Sequence, residues 1–557
     1  MDRRDFLALR KQPKTNPVVH TDAVRTWSGI NPYTGPWTKT EVIHLLKRTM
    51  FGAKISDVNY FSGLTLDQAV DELLQIDNTP PPPPLKSYNN NDIATGDPEL
   101  GIAEGQTWVN TTTYDGTANF KRRRSFKAWW TGLILNQDRN VREKMLLFWH
   151  NHFATQSNEV DLAIWSYNHH KLLRQNVVGN FKDLVKQVTL DVAMLRYLNG
   201  YLNNKTAPDE NYSRELQELF TLGKENNPNY NEQDVKEAAR VLTGWKIDYT
   251  NNVAYFDAGQ HDTGNKTFSS FYNNTTITGR SGATAGMQEL DDLLNMIFSK
   301  QVEVSRYLVK KLYRHFIYYK IDSATEINVI EPLALLLRNS NWEIKPVLET
   351  LLKSDHFFDV ANRGCYIKSP IEFATGLCRE FNVAFPNASD ISKQYNMWGF
   401  IQDVGTVLQQ DIGDPPDVAG WKAFYQTPQF YEIWINSDTL PFRNLFTDIM
   451  ILSGYTQGGN TLIIDPVAFT KDLPNPQDPN QLIDDALDIL YRVDVSATAK
   501  AAIKTQALLT GQTQDHYWTN AWNSYIADPN PQTFQVVYTR LRNLYKYFMN
   551  LSEYQLS

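Results

Sequence analysis

From residue 38 to residue 550 the chain places apolar side chains three and four positions apart, over and over, and this rhythm limits the fold more than any other feature. The first instance opens on Thr38-Lys39-Thr40-Glu41, a capping-box spacing, ahead of Val42, Leu45, Leu46 and Met50. Gly52 is placed to stop that helix. Thr65 and Gln68 repeat the device before a second helix over 65–76. Helical spacing then covers 119–135, 139–153, 162–176, 181–198, 210–222 and 232–244. It resumes over 287–298, 302–319, 328–337, 344–352, 370–381, 439–452, 479–490, 497–509 and 531–550. The expected fold is mainly α: a single large multi-helix domain with a small β-hairpin insertion and long ordered loops.

The breaks in the rhythm are equally specific. Residues 80–84 are all proline, so the backbone there must be extended and polyproline-like. They read as a stiff strap leading into a polar surface segment over 86–116, so that 80–118 forms one strap and loop. Residues 253–256 alternate in polarity and are expected to pair with part of 268–277, inside a hairpin and loop insertion at 250–286. The 411–434 stretch, with three prolines and many aromatics, suits an ordered loop packed on helices. No repeat of fixed period is visible. Arg3-Arg4-Asp5-Phe6-Leu7 looks like the twin-arginine export motif, yet Arg10, Lys11, Pro13 and Lys14 stand where an apolar segment should follow. Residues 1–35 are therefore expected to be a polar, flexible arm, and 36–557 the helical body.

Composition narrows the function classes. Fifty-four basic against 62 acidic residues leave a net charge of −8, which gives no footprint for nucleic acid. The single basic run, Lys121 to Arg124, reads as the solvated start of a helix. Two cysteines, Cys365 and Cys378, are no disulfide framework; one short bridge or two packed thiols are open, and the thiols are favoured. No stretch is long and apolar enough to span a bilayer as a helix. There is no P-loop, no dinucleotide fingerprint and no GxSxG elbow, which argues against a phosphate-cradling nucleotide enzyme.

The sharpest chemical signal is Glu215. On a helix over 212–222, Tyr212, Leu216, Leu219, Phe220 and Leu222 share one face, and Glu215 falls within it. A carboxylate there must be paired, hydrogen-bonded, metal-bound or protonated. An arginine such as Arg48, Arg142 or Arg240 would make it structural; otherwise it is a metal ligand or a general acid/base with a raised pKa. Arg214 and Glu218 are spaced as an outer i,i+4 pair. His150 and His152 lie ~200° apart on a helix that is apolar nearly all round, so they cannot chelate one metal together and should be buried. His261-Asp262-Thr263-Gly264-Asn265-Lys266 is a loop whose His, Asp and Lys could close over Glu215. His315 sits on a strongly amphipathic helix and reads as packing or capping.

Several blocks of this chain resemble the bacterial domain-of-unknown-function family 1800. They are His44-Leu45-Leu46-Lys47-Arg48 with Phe51-Gly52; Trp149-His150-Asn151-His152-Phe153; and Asn211-Tyr212-Ser213-Arg214-Glu215-Leu216 through Phe220-Thr221-Leu222-Gly223. Asp234-Val235 with Glu237-Ala238-Ala239-Arg240 and Leu242-Thr243-Gly244-Trp245 continue the series. His261-Asp262 with Gly264 and Lys266, Ser369-Pro370-Ile371-Glu372-Phe373, and Pro415-Pro416-Asp417-Val418 with Gly420-Trp421 complete it. The resemblance brings no activity with it. It implies a periplasmic, cell-surface or secreted protein, often encoded beside a relative of phosphatases and sulfatases.

Two functions follow as expectations. One is a binding or assembly component of the envelope whose aromatic loops, including Trp421, Tyr425 and Trp434, meet a glycan or a phosphatase/sulfatase-like partner. The other is a hydrolase with catalytic candidates Glu215, His150, His261 and Asp262, with Arg214 or Lys266 balancing charge. In it a divalent metal could sit on His150, Glu215 and His261. The first is preferred, because no complete catalytic constellation assembles from the sequence.

Overall fold

Helices begin where the sequence places their caps. Thr38 with Glu41, Thr65 with Gln68 and Ser369 with Glu372 each close a reciprocal capping box. Each box satisfies two backbone donors that a helix start would otherwise leave open. The computed structural model describes residues 24–111, 115–224 and 230–557. Among these, helices dominate and the only sheets are three two-stranded antiparallel ones. The mainly α expectation holds.

The Arg142–His152 helix forms the centre. All its residues except Asn151 are buried, so no face is left polar and it has no amphipathic stripe. Met145, Leu146, Leu147, Phe148 and Trp149 join one core cluster that runs from Val42 to Tyr554. Each such side chain adds roughly 1.5–3 kcal/mol by leaving water. A small satellite cluster around Trp165, Val192, Trp245 and Ile247 lies beneath the first hairpin.

The hairpins differ from expectation. Val253–Phe256 pairs with Trp245–Asp248, in the register Trp245↔Phe256, and not with 268–277. The reason is local: Asn252 adopts a left-handed conformation (φ 56°) and closes a short connection, which needs less loop closure than a distant partner. Lys266–Thr267 instead pairs with Thr276–Ile277. A third hairpin, Tyr455–Gln457 with Asn460–Leu462, turns at Gly458 and Gly459, both at positive φ. The helices Ile391–Val407 and His516–Ala527 also fall outside the expected set.

The strap is extended and held: Pro82 accepts from Trp129 Nε1 (2.8 Å) and Pro84 from Thr107 Oγ1 (2.9 Å). In the basic run, Arg122 is not solvated but buried against Glu99 and Asp97. Residues 24–35 are not loose either. Ser28 bonds Asp359 (2.8 Å), and the Tyr33 amide donates to Lys353 (2.8 Å). The twin-arginine-like motif lies outside the described residues. Both cysteines are free thiols, Cys378 buried and Cys365 half-buried. Among the described residues, no helix is long and apolar enough to cross a membrane.

Candidate functional site

Glu215 ends the short helix Asn211–Glu215, just before a π-helical segment, Leu216–Thr221. It is half-buried at the edge of the packed face. That face carries Tyr212, Ser213, Leu216, Gln217, Phe220 and Thr221. The polar members are satisfied inside it. Ser213 Oγ donates to Val235 O (3.0 Å), Gln217 Nε2 to Ser213 O (3.1 Å), and Tyr272 OH to Gln217 Oε1 (2.8 Å). Because these polar positions are buried, the arc shifts and Glu215 moves to its rim.

Among the described residues, Glu215 has no hydrogen-bond or ion-pair partner. Arg48 donates to the carbonyls of Asn362 (2.8 Å), Ser557 (3.0 Å) and Ile317 (3.2 Å), and Arg240 pairs with Asp262 and Glu237 (both 2.7 Å). Arg142 lies 3.7 Å from Asp138. Arg214 forks onto Glu232 (2.6 and 2.8 Å) and reaches Glu210 (3.2 Å), while Glu218 takes Lys224 (2.7 Å). The expected Arg214–Glu218 pair is therefore replaced. Burial first, then the Glu218 charge, push the Glu215 carboxyl up to about 7, against Arg214 and Lys224.

His150 and His261 stand elsewhere. His150 is enclosed by Trp130 (5.1 Å between ring centres), Trp421 (5.8 Å) and His169 (6.2 Å). Burial, then His169, hold it well below the usual histidine range, so it is neutral. His261 meets Thr243 O through Nδ1 (2.9 Å) and Glu289 through Nε2 (3.1 Å). Glu289 also accepts from Lys266 (2.6 Å) and the Arg280 amide (2.6 Å). Asp262 is held by Arg240 (2.7 and 3.2 Å). Lys266 thus balances Glu289, and Arg214 balances Glu232; neither serves Glu215. The proposed His150–Glu215–His261 metal set does not assemble. Among the described residues, no three His, Cys, Asp or Glu side chains gather for a metal ion.

The aromatic candidates separate too. Trp421 is core, 1% exposed. Its amide donates to Asn151 Oδ1 (2.8 Å). Gly420 (φ 91°) permits this approach, since a Cβ there would collide with Asn151. Tyr425 is exposed and donates to Asp417 (2.6 Å). Trp434 lines a cleft.

That cleft, walled mostly by aromatic rings, is a candidate site. It measures about 520 Å³ counted to its open mouth. Tyr318, Tyr319, Tyr366, Phe424, Phe430, Tyr431 and Trp434 line it, with His315, Ser369 and Glu372. The rings brace one another: Tyr319–Tyr431 at 5.0 Å, Tyr319–Phe430 at 5.3 Å, Phe424–Trp434 at 6.3 Å. Phe430 is held at φ 41°, a conformation costing a bulky residue about 1–3 kcal/mol.

Charge at the cleft is fixed by burial. Glu372 Oε2 caps its own helix through the Ser369 amide (2.8 Å), and its carboxylate pairs with Lys144 and receives Tyr366 OH (3.3 Å). Burial would raise the Glu372 pKa, but Lys144 and these bonds bring it down to about 2. His315 is held by a backbone hydrogen bond to Lys144, and burial plus the Lys144 charge push it down to about 3. At neutral pH it is a neutral imidazole. Its Nε2 is shielded from solvent and has no partner among the described residues. Such a nitrogen can accept a hydrogen bond; with so low a pKa it is a poor base. In sequence His315 is indistinguishable from a packing residue, because its helix is strongly amphipathic. The available signal was Glu372, whose capping-box spacing explains only one of its two oxygens.

The described geometry unites blocks far apart in the chain. Asn151 meets Trp421, Lys144 meets Glu372, and His152 Nε2 meets Phe220 O (3.1 Å). The family model described as "Protein of unknown function (DUF1800)" matches residues 44–556. The chain belongs to the DUF1800 family. No curated protein and no solved structure matches it. In this DUF1800 chain the Arg142–His152 helix is where the Trp149–Phe153, 211–223, 369–373 and 415–421 blocks converge.

Proposed function

We propose that this DUF1800 protein is a binding component of the bacterial envelope, periplasmic, cell-surface or secreted. Its aromatic cleft takes a neutral, hydroxyl-rich ligand, and a glycan fits that chemistry better than a phosphatase- or sulfatase-like protein partner. One observation carries the reading: His315 Nε2 is a shielded, unpartnered acceptor in a cleft walled by aromatic rings. Sugar rings offer apolar faces to such walls and hydroxyl donors to such an acceptor. A buried acceptor without a donor costs about 1–3 kcal/mol, which a ligand hydroxyl would relieve. The test is retention of neutral cell-wall glycan fragments by the immobilised protein. Retention should fall about tenfold in Trp434→Ala; equal retention by both proteins, or none by either, contradicts the reading.

A second reading, an acid/base hydrolase, is favoured by the Glu215 carboxyl, whose pKa of about 7 suits proton transfer at neutral pH. It would act without the metal set, and without His261 and Asp262, which are engaged in other pairs. A hydrolysis rate that vanishes in Glu215→Gln, with folding intact, is its test.

A further inference from the structure

The first turn of the Arg142–His152 helix borders a different cleft, independent of the aromatic one. Pro80, Pro81, Trp129, Arg142, His170 and Arg174 line it, about 380 Å³ counted to its open mouth. Arg142 is 6% exposed, and its Nη2 is shielded and has no partner among the described residues. The carboxylate nearest to it, Asp138, is 3.7 Å from Nη1 on a side chain 78% exposed. Arg174 spends Nη1 on Glu143 (2.5 Å) and leaves Nε without a partner. His170 is 2% exposed, and neither of its ring nitrogens has a partner among the described residues. Trp129 (4.9 Å) and Trp130 (4.8 Å) enclose that ring. Lys171 stands exposed at the mouth. Asp77 is the one acid among the described lining residues, and it is turned to Thr79, whose amide (2.9 Å) and hydroxyl (2.8 Å) it accepts.

We propose that this cleft binds a small oxyanion, a phosphate or a carboxylate group, held by Arg142, Arg174 and His170 and bordered by the proline strap. Buried guanidinium donors need acceptors, and none among the described residues reaches Arg142 Nη2. The planar fork of arginine matches the oxygens of phosphate and carboxylate. Burial, then the neighbouring Arg174 charge, hold Arg142 below the usual arginine range against Glu143, Asp138 and Asp77, and an anion would relieve both. Neutral His170 supplies one ring N–H. Proline at 80 and 81 keeps the wall stiff, so little order is lost on binding.

The test is calorimetric titration of the full chain at pH 7 and low salt, with inorganic phosphate in one arm and acetate in the other. Saturable one-to-one binding is expected in at least one arm, and the arm that binds identifies the anion class. Arg142→Gln should weaken it about tenfold or more. Lys171→Gln, at an exposed position that does not threaten folding, should weaken it about threefold. Trp434→Ala should leave it unchanged, which separates this site from the aromatic cleft. Absence of binding in both arms overturns the proposal. So does an affinity that neither Arg142→Gln nor Lys171→Gln alters; if Arg142→Gln fails to fold, Lys171→Gln alone decides.

Discussion

Lys144 and Glu372 form a buried ion pair that joins the Arg142–His152 helix to the first turn of the Pro370–Glu380 helix. The Lys144 side chain is 2% exposed and that of Glu372 14%, so water screens the pair weakly. Removing one partner leaves the other charged and buried. Lys144→Met is expected to cost about 3–5 kcal/mol in denaturant unfolding. The double change Lys144→Met with Glu372→Leu should recover much of that loss. A single variant as stable as the parent would show that the pair is solvated.

Glu215 sets a pH effect of the opposite kind to a salt-bridged carboxylate. Its folded pKa, about 7, lies above the ordinary 4.5, so between those values the folded state holds the proton that the unfolded state has released. Its contribution to stability therefore falls as pH rises through that window. Glu215→Gln, which mimics the protonated group, should match the parent at pH 4.5. At pH 8 it should be more stable by about 1 kcal/mol, a figure reduced for the half-exposed side chain. Equal stabilities at pH 8 would show that the carboxylate is already paid its solvation by water.

Buried neutral histidines act in the other direction. His44, His150, His152 and His170 lie well below the ordinary 6.5, and His315 near 3, each through burial first. As pH falls below 6.5 the unfolded chain takes protons that the folded chain refuses, so stability is lost. Each histidine contributes a slope of up to about 1.4 kcal/mol per pH unit. Unfolding free energies measured from pH 7 to 5 should drop steeply, and His150→Leu should make the drop shallower. An unchanged slope would mean that His150 is protonated in the folded state.

The Asn151–Trp421 contact depends on a missing side chain. Gly420→Ala places a Cβ against Asn151 and strains a backbone at φ 91°. A loss of about 2 kcal/mol or more is expected in thermal or denaturant unfolding. A neutral effect would show that the 415–421 loop adjusts freely.

Much of the fold was legible because helix starts carry their own chemistry. Thr38-Glu41 and Thr65-Gln68 are capping boxes in sequence and in structure alike, and the structure adds a third at Ser369-Glu372. The apolar run at 142–152 announced a buried helix, and it is one. The hairpin at 245–256 is hard to see in sequence because the expected partner for 253–256 lies at 268–277, whereas the real one follows the 232–244 helix directly and turns back at Asn252. Gly458-Gly459 between alternating residues is the sequence signal of the third hairpin.

The sites were less legible, since sequence periodicity treats polar residues as surface. Ser213, Gln217 and Thr221 are buried and bonded internally, which turned the face away from Glu215. The aromatic cleft draws its residues from 315–319, 366–372 and 424–434, and no spacing rule links segments so far apart. His315 looked like one more packing residue, as most histidines on such helices are. That its Nε2 lacks a donor among the described residues depends on segments distant in the chain.

The most direct measurement is a calorimetric titration of the protein with a panel of neutral oligosaccharides at pH 7, run beside His315→Phe. Saturable binding of at least one member is expected, weakened about tenfold by the substitution, as for a lost buried hydrogen bond. It should change little between pH 8 and pH 5, because His315 stays neutral down to about 3. No binding across the panel, or binding that His315→Phe leaves intact, would contradict the account.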